Sequence, residues 1–353
     1  MNKKICILSI DGGGIRGIIP ATIIRYIEES IQERTGEARA RISDYFDLMA
    51  GTSTGGILVC AYLVPAAGDP MRPRFTAEEA LNLYKERGGD IFELSLWQKI
   101  RTAKGTLDEK YQADALEKAL DEYFGETKLS QLLKPCLIPA YDIENRMGKF
   151  FTSYNADANT RNFLVKDVAR ATSAAPTYFE TAHIRSMYGV SYALIDGGVF
   201  VNNPALCAYA EARTMKFESK GIDYPTAKDM LLLSLGTGEV KKPYAYKDAK
   251  DWGSISWIKP LIDIMMSGNS ETVDYQLKQL YDTLPPESKT CYKRIQVDLS
   301  KTHADPDMDN AGGKNIAALE EAGKRWITDH LKELDDIVDL LIANSAPAQP
   351  PIA

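Results

Sequence analysis

Short apolar runs alternate with stretches where apolar residues return every three or four positions, and this alternation spans the chain. Strand-length runs lie at 4–10, 47–50, 135–142, 192–196, 230–235 and 292–299. Helical periodicity occupies 18–34, 55–64, 76–88, 111–124, 166–173, 203–218, 269–281 and 313–342. In the first helical stretch Ile19, Ile23, Ile24, Ile27 and Ile31 mark one face. Strands interleaved with helices predict an α/β fold of three layers, α/β/α, with a mainly parallel central sheet. Sites in such sheets lie at the carboxyl ends of strands. No Pro/Gly/Ser-rich linker or break in composition divides residues 1–340. The expectation is one domain over 1–340, with its motifs in 3–240, a helical part at 241–340, and a disordered tail at 341–353.

Three glycine-bracketed turns sit where predicted strands end. Gly51-Thr52-Ser53-Thr54-Gly55 lies between a strand and a helix, the G-x-S-x-G arrangement that lifts a serine hydroxyl clear of the backbone. Asp11-Gly12-Gly13-Gly14-Ile15-Arg16-Gly17 joins the first strand to the first helix, so its amides stand at the positive end of a helix dipole and suit an anion. Two anions compete. Gly12-x-Gly14-x-x-Gly17 has dinucleotide-binding spacing, which would make the chain a nucleotide-binding regulatory protein. That reading needs an acidic residue ending a second strand, whereas Glu33 and Glu37 sit in or just after the helix. The oxyanion of an intermediate formed on Ser53 fits the same amides better. Asp196-Gly197-Gly198 ends the run Tyr192–Ile195, where a carboxylate can approach another backbone closely, or merely close its own turn.

A serine nucleophile needs a base, and the chain has only His183, His303 and His330. His330 lies in a helical pattern, and His183 has no evident acidic partner. His303, in a polar loop, keeps the triad order Ser53, Asp196, His303 and holds that mechanism open. The simpler arrangement is a dyad in which Asp196 takes the Ser53 proton, provided burial raises its basicity.

Charge and composition narrow the classes. A formal net charge of −7 argues against nucleic acid as substrate. No apolar stretch reaches the roughly 18 residues of a membrane span. The basic start Met1-Asn2-Lys3-Lys4 precedes too short an apolar run for a signal peptide. Cys6, Cys60, Cys136, Cys207 and Cys291 are scattered without metal spacing and read as reduced packing residues. The expectation is an intracellular, cytoplasmic enzyme with no cofactor and no metal.

The three motifs, in this order, resemble the signatures of the patatin-like phospholipases. Ala169–Phe179, Leu233–Gly238, Met308–Ala311 and Asn315–Leu319 are similar to later segments of that family, so the resemblance covers about residues 3–330. It implies a patatin-like fold and a lipid acyl hydrolase acting without a metal on phospholipids or related glycerolipids. It further implies Ser53 as nucleophile and Asp196 as proton acceptor. The amides of Gly13 and Gly14, with Arg16, would form the oxyanion hole, unless Arg16 simply pairs with a carboxylate. Gly12, Gly17, Gly51, Gly55, Gly197 and Gly198 are the motif glycines, needed for turns and close packing. Some bacterial relatives are phage-defence effectors activated by cyclic nucleotides, and some plant relatives are storage proteins; both settings stay open.

A lipid substrate implies transient membrane-surface contact. Trp252–Met266 and, less strongly, Ile91–Trp97 are aromatic and aliphatic enough to touch a membrane or line an acyl site. Core packing or a homodimer contact accounts for them equally well.

Overall fold

The computed structural model describes residues 3–92, 110–157, 161–240 and 243–345. The main sheet has eight strands: β1 (Ile5–Ile10), β2 (Leu48–Gly51), β3 (Cys136–Asp142), β4 (Met147–Thr152), β5 (Ala182–Arg185), β6 (Ser191–Asp196), β7 (Met230–Leu235) and β8 (Tyr292–Ile295). Their order is β8-β7-β1-β2-β3-β6-β5, with β4 paired to β3. The longer helices are α1 (Ile18–Thr35), α2 (Thr54–Leu63), α3 (Ala77–Phe92), α4 (Lys110–Phe124), α5 (Val165–Thr172), α6 (Ala205–Ala212), α7 (Ser254–Asp282), α8 (Gly313–Asp329) and α9 (Leu331–Asn344).

Every residue of β1 and β7 is buried, which is why both read as apolar runs broken only by Ser9 and Ser234: each carries helices on both faces. The α2 helix is buried on all sides and correspondingly lacks a polar face. The α1 helix buries the predicted isoleucine stripe together with Pro20, Ala21, Thr22, Glu28 and Ser30, and ends at Gly36, whose φ of 72° and amide bond to Gln32 stop the helix. Helices and a mainly parallel sheet therefore form the expected three layers.

One departure from parallel pairing matters for the site. Strands β8, β7, β1, β2 and β3 are parallel, but β6 runs antiparallel to β3. On one edge of β3, β2 pairs with Cys136 and Leu137, and β6 pairs with Ala140 to Asp142. Because β2 and β6 point toward each other along that edge, their carboxyl ends meet head-on. Pro139 lies in the gap between them, where no ladder partner needs its missing N–H.

Several boundaries differ from the sequence pattern. Strand β4 is an edge strand with Met147 and Phe150 exposed, and β5 buries only Ala182 and Ile184, so neither shows a strong apolar run. Helix α7 begins far earlier than residue 269, because Pro260 and Gly268 disguise a helix whose first half is mostly exposed. The 313–342 stretch is two helices, broken at His330. The α9 helix runs to Asn344, into the segment expected to be disordered; residues 346–353 lie outside the described residues. Most of the Ile91–Trp97 segment, residues 93–97, also lies outside them.

Burial of α2 sets a measurable contrast. Leu58→Ala should cost about 2–5 kcal/mol in urea unfolding, whereas Met71→Ala, at a residue 80% exposed, should change stability by less than about 0.5 kcal/mol.

Candidate active site

Ser53 sits on the turn between β2 and α2 with φ 55° and ψ −122°, a left-handed backbone that non-glycine residues avoid. Its neighbours make the turn sterically feasible. A Cβ on Gly51 would collide with the Gly55 carbonyl, and one on Gly55 with the Ile10 carbonyl at the end of β1. The Ser53 amide donates to Thr172 Oγ1 at 2.9 Å, and Thr172 donates to the Pro139 carbonyl at 2.6 Å. Thr172, at the end of α5, thus ties the elbow to the gap in the β3 edge.

The head-on meeting of β2 and β6 brings Asp196 to this turn. Ser53 Oγ donates to Asp196 Oδ2 at 2.6 Å, and the Gly198 amide donates to Oδ1 at 2.6 Å. Both side chains are buried. Burial pushes the Asp196 carboxyl up to about 7, against the opposing bonds from Ser53 and Gly198. A carboxylate with that basicity can accept a serine proton near neutral pH, which an exposed aspartate does poorly.

The glycine-rich turn can be read by asking where each amide bonds. The Asp11 amide goes to the Leu235 carbonyl, Gly12 to Asn202, Ile15 to Met308 and Arg16 to Gly13. The amides of Gly13 and Gly14 have no partner among the described residues, and both glycines line the cleft that contains Ser53 and Asp196. Gly14, at φ 58°, packs so tightly on Met308 that no side chain fits. The same accounting leaves the Thr54 amide unpartnered in the first turn of α2, at the helix's positive end and on the cleft wall. Nothing in the sequence pattern singles Thr54 out.

Arg16 is not among the cleft-lining residues and has no carboxylate within 4 Å among the described residues. Its guanidinium donates instead to the carbonyls of Gly13 (3.4 Å) and Gly238 (3.3 Å). Holding the Gly13 carbonyl turns the trans-related Gly14 amide the opposite way. The other motif glycines allow close contacts: Gly12 against Asn202 and Ser53, Gly17 against Thr54, and Gly197 against the Pro139 carbonyl.

Asp11 anchors the turn from below. Arg294 on β8 donates to both of its carboxylate oxygens, at 2.9 and 2.6 Å, and Ser270 of α7 adds a third bond at 3.2 Å. Burial pushes the Asp11 carboxyl up while the Arg294 guanidinium pulls it down. The sequence did carry a signal for this pair. Arg294 lies in a predicted strand run, 292–299, and a charged residue that a fold buries there needs a partner.

The walls of the cleft are largely apolar: Ile57, Ala175, Pro176, Phe179, Val199, Ile262, Met265, Met266 and Met308 contribute. No histidine lines it. His183 and His303 are exposed, and His330 stacks on Trp326. The triad order including His303 is therefore not assembled in this cleft. The nucleotide reading also fails to find its parts: Glu33 lies in α1, Glu37 follows it, and β2 ends in Gly51. Among the described residues no group of three His, Cys, Asp or Glu could hold a metal ion, and no helix is long and apolar enough to cross a membrane.

A family profile for patatin-like phospholipases matches residues 8–209. Patatin-like protein 2 of Oryza sativa subsp. indica is 34% identical over 355 aligned residues, which cover 94% of this chain and 86% of that protein. Patatin-like protein 2 of Arabidopsis thaliana is 35% identical over 341, covering 90% and 82%. Patatin group J-1 of Solanum tuberosum is 34% identical over 339, covering 92% and 84%.

Two predictions arise from the buried carboxylates. Asp196 holds its proton more tightly when folded than at its ordinary value of 3.8. Stability from this group is therefore complete below that value and is lost as pH rises toward 7. Asp196→Asn removes the loss, so thermal unfolding at pH 8 should show it more stable than wild type, by on the order of 2–4 kcal/mol, with the gap closing near pH 4. Arg294→Met strands the Asp11 carboxylate and should cost about 3–5 kcal/mol in urea unfolding; adding Asp11→Asn should recover part of that.

Proposed function

The chain belongs to the patatin-like phospholipase family and is a lipid acyl hydrolase at the level of that family, and from this premise we propose that it works by a serine–aspartate dyad through an acyl-enzyme. Ser53 Oγ attacks the ester carbonyl carbon as its proton passes to Asp196 Oδ2. The amides of Gly13 and Gly14, joined by Thr54 at the α2 N-terminus, take the negative charge on the carbonyl oxygen. Arg16 braces this hole by holding the Gly13 carbonyl. Collapse of the intermediate breaks the ester bond, and the alcohol leaves with the proton from Asp196. Water then gives a proton to Asp196 and attacks acyl-Ser53; the fatty acid departs and Ser53 recovers its proton.

The observation that carries this reading is the 2.6 Å bond between Ser53 and Asp196 in a cleft that no histidine lines. The apolar walls suit an acyl chain, which favours phospholipids and lysophospholipids as the ester class. The strained Ser53 backbone fits a preorganised nucleophile, whose cost of about 1–3 kcal/mol the surrounding contacts sustain.

A fluorophosphonate probe should add one adduct, mapped to Ser53 by mass spectrometry, and Ser53→Ala should abolish it. Ser53→Ala and Asp196→Ala should each lower kcat/KM on a phospholipid ester by several orders of magnitude, with the double variant no worse, because the two groups act as a unit. The wild-type kcat/KM should rise with pH as Asp196 loses its proton, with a midpoint of about 7. A variant lacking His183, His303 and His330 should keep most of the activity; collapse on changing His303 alone would hand the chemistry to a triad.

A further inference from the structure

We propose that the first half of α7 is a lipid-docking surface that joins an aggregate of lipid to the Ser53 cleft; this rests on the hydrolase reading above. Of the described side chains from residue 256 to 269, none is buried, although the second half of the same helix buries Ser270, Val273, Leu277 and Tyr281. A helix segment without a buried face normally carries polar residues all round. This one does not. Trp257, Leu261, Ile264 and Met265, at helical spacings of three and four, are each at least 40% exposed.

The stripe is continuous with the catalytic cleft. Met265 is both exposed and a cleft wall, and Ile262 and Met266, on the adjoining side of the helix, line the cleft. With about 100° of rotation per residue, the apolar side chains from Ile264 round to Met266 span roughly half the circumference. Ser256, Asp263 and Ser267 take the opposite side. Packing against the cleft alone would need a much narrower apolar stripe, so the outer half faces a second apolar partner. A second copy of the chain seated on Met265 would cover the rim of the cleft. A lipid aggregate would cover the same side chains and at the same time supply acyl chains to the opening, and it is the occupant that the continuity favours.

The test separates docking from chemistry. Leu261→Ser/Ile264→Ser changes the outer stripe and no cleft-lining residue. The full chain is measured for flotation with phosphatidylcholine vesicles, for release of fatty acid from those vesicles, and for turnover of a soluble p-nitrophenyl ester. The wild type should float with vesicles. The variant should lose at least tenfold in flotation and in vesicle hydrolysis while soluble-ester turnover stays within twofold. Equal flotation of variant and wild type, or a wild type that does not float, overturns the proposal. So does a wild-type dimer by sedimentation equilibrium that the variant converts to monomer, because a second copy then owns the stripe. Absence of Ser53-dependent turnover on the soluble ester would sink the hydrolase reading instead, with flotation still judging the surface.

Discussion

A serine hydroxyl and a carboxylate can share one proton here because two strand ends collide along a single edge. Strand β2 and strand β6 approach the β3 edge from opposite directions and stop on either side of Pro139, so the residues at their ends have nowhere to go but toward each other. Thr172 closes the gap by bonding both the Ser53 amide and the Pro139 carbonyl. The cleft, the open amides and the burial of Asp196 all take their positions from this junction. In a sheet that was parallel throughout, Asp196 would end its strand beside Ser53's strand rather than against it.

Burial serves the site twice, with opposite signs for stability. It lifts Asp196 toward neutral basicity, which costs the folded state stability at any pH where the group is ionised. It also encloses the ion pair of Asp11 and Arg294, whose two bonds fix the start of the glycine-rich turn from strand β8, far along the chain. The amides that remain open at Gly13 and Gly14 are those left after Leu235, Asn202 and Met308 have claimed their neighbours. Preorganisation of this kind comes from saturating every other hydrogen bond in the turn.

Helix α7 divides between packing and exposure. Its second half packs under the sheet, with Asn269 bonding the backbone of residues 200, 202 and 203. Its first half leaves the body of the protein and turns one apolar side to the cleft and another to solvent. From sequence the segment Trp252–Met266 reads as membrane contact, acyl lining, core packing or a homodimer contact; none of its described side chains is buried.

Much was legible from residues alone. Mostly apolar runs named β1 and β7, because strands covered on both faces admit few polar positions (Ser9 and Ser234 here), and the glycine brackets named Ser53 and Asp196 because only glycine permits those backbones to touch. Edge strands β4 and β5, half exposed, carried no such pattern, and Pro260 hid the start of α7. Local sequence determines which residues can form a strand, a sharp turn or an apolar face, since those depend on near neighbours. The antiparallel course of β6, the partner of Arg294 and the basicity of Asp196 depend on segments that lie from about fifty to nearly three hundred residues apart. Only their packing could decide them, because burial and hydrogen-bond competition exist only once those segments meet.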